Sequence, residues 1–429
     1  MRQPSPNSGH SFMRRLITTV GLVACFSAFG VCEQAGRARL LINYRKDAAL
    51  LPATDTAVRL SPSDPETHYA RAMVLWRMQR FPEAVKEYES VVMLRPGDYV
   101  PWLDLGSARD RSGDADGALM AFKEAVRLAP YYGEPRWELG GLLLRFGRTD
   151  DALIELRQAA TSDPGRLPDI IDLAWKTSGG DPRVPQAVIP KTAQAGLTLA
   201  RFFVEHGKYG EAIELFRSTS GTSSKDLRPL LTALLTAKRF TEAYEVWASS
   251  RETGSEESHH RIATITDGSF ENNINLDDPG FGWQPANNLQ TLHISVDTNE
   301  PYVGAHSLRL DWNGNSDPSR PVISQLVLVE PRTRYRLKFA ARSRDLLTVG
   351  LPIVTVIDAG DDKQSVVLVQ SKALQGGTTG WQDYIMEFTT AENTDAVVIS
   401  LRRESCATDQ CAILGNLWLD DFQLERLQI

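Results

Sequence analysis

Along the first half of the chain, small and apolar residues recur with one long, fixed step. Pro62, Pro96, Pro130 and Pro164 stand 34 residues apart, as do Ala84, Ala118 and Ala152, and also Tyr88, Phe122 and Leu156. The pairs Leu105–Gly106 and Leu139–Gly140 keep the same step. This pattern predicts pairs of antiparallel helices. Small residues at Gly106 and Ala118 let the two helices approach closely, and Phe122 fills the space beside them. Pro130, which has no N–H, stops the second helix. One such pair cannot bury its apolar face alone, so at least three must stack. Beyond the polar stretch RETGSEESHHR, Arg251 to Arg261, the period changes to two. The segments SLRLDW, ISQLVLV, YRLKFAAR, LPIVTVID, DAVVISLR and LWLDDFQLE alternate or run apolar between Gly, Pro, Asn and Asp. That predicts an antiparallel β-sandwich joined to the helices by a polar linker.

In the clearest copy, Trp102, Leu105, Gly106, Ala118, Phe122, Ala125 and Pro130 reproduce the pattern W-x2-L-G, A-x3-F-x2-A and a terminal Pro. The chain here resembles a tetratricopeptide (TPR) array, an all-α solenoid. The segment from about residue 33 to Pro62 keeps the proline register and suits an N-terminal capping repeat. After Pro164 the period breaks at a Gly- and Pro-rich stretch. Helix-pair character resumes with Ala212 and Phe216, then Ala243 and Trp247, in the Ala and Phe slots, now 31 residues apart. The expected division is a signal or anchor segment over 1–34, a solenoid over 35–253, a linker over 254–263 and a sandwich over 264–429.

The later segment carries a second ordered set: DGSFENN (Asp267 to Asn273), GFGW, GAHSLRL, YRLKFAAR, GWQDYIMEFT and WLDDFQLE. Their order resembles the carbohydrate-binding-module jelly rolls of the galactose-binding-like fold. The resemblance implies that DGSFENN is the first strand of this domain and lies beside the closing DDFQLE segment. It implies a structural calcium held between Glu271 and Asp420, oxygen ligands of the kind calcium takes. It implies a glycan site built on aromatic platforms, for which Trp283, Tyr302 and Trp312 are the candidates. Trp381 and Trp418 stand in strand contexts and are expected in the core.

Composition sets the broad class. Of 429 residues, 42% are hydrophobic and 24% charged, which is ordinary for a globular protein, and the length calls for more than one domain. A net charge of −7 argues against a dedicated nucleic-acid binder, which needs a basic face to neutralise phosphates. Arg14 and Arg15 precede an uncharged run from Leu16 to Cys32, a positive region followed by an apolar one. Two readings of this run stand. LVAC, Leu22 to Cys25, resembles a bacterial lipobox, which implies a lipid on Cys25; the other reading is an uncleaved membrane anchor. Both put the bulk of the chain outside the cytoplasm, in the cell envelope. Cys406 and Cys411 are spaced to close a small disulfide loop in an oxidising compartment, and without further Cys or His beside them they do not form a zinc site.

No nucleophile elbow, phosphate loop or H-E-x-x-H motif occurs, and His259–His260 fall in the linker, where solvation is expected. A binding role, not an enzymatic one, is expected. Arg77, Arg111 and Arg145 share position 13 of successive repeats, and Tyr69, Leu103 and Trp137 share position 5. In TPR arrays position 13 belongs to the set lining the inner groove. A row of guanidinium forks beside an apolar strip suits an acidic, partly apolar peptide. Arginine is also favoured near a helix C-terminus by the macrodipole, so the row has a purely local explanation too. Glu205 and Thr236 break it in the later units, confining any groove to the first three. The resemblance implies an envelope scaffold in assembly or export of surface polysaccharide or another envelope polymer, with envelope proteins as partners. The alternative is a glycan-binding adhesin or substrate-capture module that uses the repeats as a spacer.

Overall fold

The computed structural model describes residues 8–43, 50–249, 262–272, 274, 280–286, 291–318, 320–361, 366–406 and 411–428. The chain is an array of paired α-helices followed by a β-sandwich, and it divides into two compact units, Met1–Pro190 and Lys191–Ile429. Most of the expected linker, 254–261 with His259–His260, lies outside the described residues.

The first unit contains α1 (Ser8–Asn43), α2 (Leu50–Leu60), α3 (Pro65–Arg77), α4 (Phe81–Leu94), α5 (Tyr99–Ser112), α6 (Ala115–Leu128), α7 (Gly133–Arg145), α8 (Thr149–Ser162), α9 (Leu167–Thr177) and α10 (Arg183–Val188). Local chemistry sets the helix ends. Asp64, Asp98 and Asp114 cap α3, α5 and α6 by accepting from Glu66, Val100 and Gly117 N–H, and Gly113 ends α5 at φ 87°. The repeated small residues do what their spacing implies. A Cβ on Gly106 would sit 2.6 Å from the Phe122 ring, and one on Gly140 would sit 2.7 Å from Leu156 Cγ. Phe122 is 1% exposed and Leu156 0%, so neither has room to withdraw.

The second unit opens with α11 (Ala193–Glu205), α12 (Tyr209–Arg217), α13 (Ser224–Thr236) and α14 (Phe240–Ser249). Ala212, Phe216, Ala243 and Trp247 are all buried, as their slots require. Trp247 also packs on Phe281, ring centroids 5.6 Å apart, which ties α14 to the sequence leading into the sandwich.

Ten strands follow: β1 (Gln284–Pro285), β2 (Leu292–Asp297), β3 (Ser307–Ser316), β4 (Ile323–Leu328), β5 (Arg334–Thr348), β6 (Pro352–Asp358), β7 (Val367–Gln370), β8 (Gln382–Thr389), β9 (Ala396–Arg403) and β10 (Cys411–Arg426). They form two five-stranded sheets, β1-β4-β9-β6-β7 and β2-β3-β10-β5-β8. Every pairing among the described strands is antiparallel. Leu310, Trp312, Phe339, Ile399 and Phe422 fill the space between them. One expectation is corrected here. Asp267 to Phe270 of DGSFENN form a turn, with φ 50° at Asp267 and 54° at Phe270, so this segment is not the first strand. Its carboxylate Asp267 accepts from Glu271 and Asn272 N–H, while Phe270, 0% exposed, plugs the core. The segment does lie beside the closing one: Phe422 N–H donates to Gly268 O at 2.9 Å. Position 268 has to be glycine because a Cβ there would meet Phe422 O at 2.2 Å. Cys406 and Cys411 form the expected disulfide.

A polar network joins α2, α3 and α4. His68 Nδ1 faces Glu87 Oε2 at 2.7 Å and His68 Nε2 faces Pro62 O at 2.9 Å, while Arg71 bridges Glu87 and Asp55. Both ring nitrogens face acceptors, so only the imidazolium satisfies both. The bond to Glu87 accordingly raises the His68 pKa above its ordinary value.

Two outcomes follow from these contacts. Gly106→Ala should lower stability by about 1–3 kcal/mol in denaturant melts, because the forced shift of Phe122 outweighs the gain in helix propensity. Gly97→Ala, whose Cβ would meet nothing within 4 Å, should stay within about 0.5 kcal/mol of wild type. For His68, the raised folded pKa contributes stability that is complete below the ordinary value near 6.5 and is lost as pH rises through the folded pKa. The melting temperature of the first transition should therefore decline from pH 6.5 upward, and His68→Gln should flatten that slope; an unchanged slope in the variant would refute the assignment.

Candidate functional site

In the first unit, α3 and α5 present their inner residues beside Tyr88 of α4. Tyr69, Met73, Trp76, Arg77, Tyr88 and Asp104 line a cleft of about 230 Å³. Tyr69 and Tyr88 meet edge to face, centroids 5.9 Å apart, and Tyr69 Oη donates to Asp104 Oδ2 at 2.7 Å. Burial pushes the Asp104 carboxyl up from its ordinary pKa, and acidic Glu134 and Asp98 add to the rise. Glu138, one repeat later, is raised by burial and by Glu134.

The three position-13 arginines are all exposed and all fall in the last turn of their helices. Arg77 and Arg111 have no protein partner among the described residues. Arg145 does: its Nη2 lies 2.6 Å from Asp110 Oδ2, one repeat back. The expected row of three free forks is therefore two free forks and one ion pair. The position-5 residues Tyr69 and Trp137 are half-buried and Leu103 is buried. Asp104 escaped the sequence reading, although Asp104 and Glu138 repeat at the same step as the arginines.

In the sandwich, two of the three expected platforms are corrected. Trp283, 5% exposed, and Trp312, 4%, belong to the core and offer no face to a ligand. Trp283 packs at a tilt on Phe270 and edge to face on Phe422, and its Nε1–H is spent on Asp267 O at 3.0 Å. Tyr302 is exposed, as expected, and packs against Trp381 with centroids 5.6 Å apart. Trp381 is half-buried at the start of β8, outside the core where its strand context had put it; Trp418 is in the core. Arg342 lies over both tryptophans, Tyr302 Oη donates to Asp383 Oδ1, and Trp381 Nε1–H donates to Glu300 O. Gly380 before Trp381 was the available signal of a loop.

Glu271 and Asp420 reach the same segment, 302–306. Asp420 Oδ2 accepts from Tyr302 and Val303 N–H, and Glu271 Oε1 accepts from Ala305 and His306 N–H, with Oε2 facing His306 Nδ1. Glu271 is held below the ordinary carboxylate range by His306, while burial raises Asp420. Among the described residues, no three His, Cys, Asp or Glu side chains gather as a metal site. Asp420 is 0% exposed, has no basic partner among the described residues, and has Asp421 as an added like charge.

The helix over Thr19–Ile42 is long and apolar enough to cross a membrane, and Cys25 within it is exposed and unpaired. At its far end Arg39 grips Asp64, the cap of α3, through two hydrogen bonds of 2.8 and 3.2 Å.

Residues 111–174 match the tetratricopeptide repeat family. No curated protein matches the chain. Among solved structures, it is similar to MamA (17% identity, 42% of this chain and 85% of that one, TM-score 0.28). It is similar to a CBM4 structure (15% identity, 38% and 100%, TM-score 0.28). It is also similar to YrrB, a TPR protein with an unusual peptide-binding site (18% identity, 48% and 90%, TM-score 0.29).

Proposed function

We propose that this is an envelope-anchored, non-enzymatic scaffold that binds protein partners through the inner face of its first three repeats, in assembly or export of surface polysaccharide or another envelope polymer. The observation that carries the reading is the open cleft of about 230 Å³ lined by Arg77, whose fork, like that of Arg111 one repeat later, has no partner among the described residues. A guanidinium with no protein partner, next to aromatic walls, is free to take a carboxylate bidentately. The apolar run of α1 supports anchoring, either as a bare helix or through a lipid on Cys25. A second reading, glycan capture, rests on the exposed Tyr302–Trp381 pair, whose amphipathic rings suit a sugar face.

One experiment on the detergent-solubilised full chain separates these. Envelope proteins should be captured in a salt-sensitive manner, and changing Arg77, Arg111 and Arg145 to glutamine should weaken capture by roughly three- to tenfold with little change in melting temperature. Retention on polysaccharide columns that Tyr302→Ala and Trp381→Ala abolish, with no envelope protein captured, would overturn the scaffold in favour of glycan capture. In the same preparations Cys25→Ser should block lipid labelling and leave an unprocessed precursor; unchanged size with persistent membrane retention would favour the bare helix.

Calcium at Glu271 and Asp420 belongs to the same proposal. A cation there would neutralise the buried Asp420, so calcium should raise the melting temperature over EDTA, by about 2.7 kcal/mol of stability at a hundredfold excess over Kd. Asp420→Asn should remove the difference, and identical melts of wild type with and without calcium would sink the idea.

A further inference from the structure

The cleft between α3, α4 and α5 has more character than a generic peptide groove. Its walls are the rings of Tyr69, Trp76 and Tyr88, and its one carboxylate is Asp104. That carboxylate has a single hydrogen-bond donor, the Tyr69 hydroxyl, and no basic side chain forms an ion pair with it among the described residues. Arg77 lines the same cleft, yet the charges that bear on Asp104 are those of Glu134 and Asp98, both acidic. The contrast with neighbouring acids is direct. Asp110 is neutralised by Arg145, Glu89 by Arg109 and Glu155 by Arg136, whereas the half-buried Asp104 forms no ion pair among the described residues. An ionised carboxylate held among aromatic rings without a cation is an incomplete ion pair.

We infer that this cleft receives one lysine or arginine side chain of the partner, with Asp104 as its counter-ion and the rings of Tyr69, Trp76 and Tyr88 as its walls. The size agrees: about 230 Å³ is below the range of sites for drug-sized ligands and suits a single long side chain. The chemistry agrees as well, since tyrosine and tryptophan faces attract a cation that has left water. With Arg77 at the rim, the recognised motif is a basic residue followed or preceded by a carboxylate. This rests on the scaffold reading above and narrows it from an acidic peptide to one carrying both signs of charge.

The test is selection of a phage-displayed random heptapeptide library on the detergent-solubilised full chain. Selected peptides should be enriched in lysine or arginine. Synthetic copies should lose about tenfold in affinity on Asp104→Asn, which keeps an acceptor for Tyr69, and should bind Asp116→Asn, an exposed acid on α6, as they bind wild type. Peptides selected without a basic residue, or bound equally by wild type and Asp104→Asn, overturn this inference while leaving the groove in place. A selection that enriches no peptide overturns the groove and the inference together.

Discussion

The first unit depends on one contact made in two successive repeats: a glycine of one helix pressed against a large apolar side chain of the next. Gly106 on Phe122 and Gly140 on Leu156 leave no room for even a methyl group. This closeness is what lets Ala118 and Ala152 go fully buried. It also fixes rotation, because a helix turned by one residue would set a bulkier side chain against the ring. Fixed rotation in successive pairs turns a sequence step of 34 residues into a spatial one. Only for that reason do Arg77, Arg111 and Arg145, or Asp104 and Glu138, fall at equivalent places along the stack.

On that frame the charges are unevenly resolved. Ion pairs between exposed arginines and acids contribute about 0–1 kcal/mol each, so Arg127–Glu124 or Arg148–Asp151 say little about function. Burial changes the weight of a charge. Glu87 is held by Arg71 and His68 together, a buried carboxylate with two cationic groups around it. Asp104 is half-buried and forms no ion pair among the described residues. The difference between these two acids, on the successive helices α4 and α5, is that one carboxylate is neutralised within the fold and the other is not paired among the described residues.

Much of this was legible in the sequence, and the reasons differ by region. The repeat was legible because each slot has a steric demand that few residues meet: glycine at 106 and 140, alanine at 118 and 152, proline at 130. The strands were legible from alternation, and the disulfide from spacing. The turn at Asp267 was not, because its positive φ values at Asp267 and Phe270 are imposed by Phe422 and by the core, partners about 150 residues away in the chain. The aromatic residues were misplaced for a related reason. Trp283 sits between glycine and proline, a loop-like context, yet three-dimensional packing against Phe270 and Phe422 buries it. Trp381 borders a strand and is left half-exposed because the strand begins one residue later. The pairing of Arg145 with Asp110 was out of reach for a reading that followed single positions, since it joins position 13 of one repeat to position 12 of the one before.

In the sandwich, the two carboxylates expected as calcium ligands also order a backbone segment. Glu271 and Asp420 come from opposite ends of the domain, and between them they accept four backbone N–H groups from Tyr302, Val303, Ala305 and His306. Gly304 lies in the middle at φ 70°, and a Cβ there would stand 2.0 Å from Glu271 Oε1, so the segment can close on the carboxylate only through glycine. Charged acceptors bind N–H donors about twice as strongly as neutral ones do, which makes this clamp stiff. Tyr302 is the exposed aromatic residue that this segment carries, and its hydroxyl is fixed at the far end by Asp383. Tyr302 is thus held toward Trp381 at both ends, its backbone N–H by Asp420 and its hydroxyl by Asp383. Any ligand that uses this aromatic pair meets a surface organised in advance, whichever cation or donor the carboxylates hold.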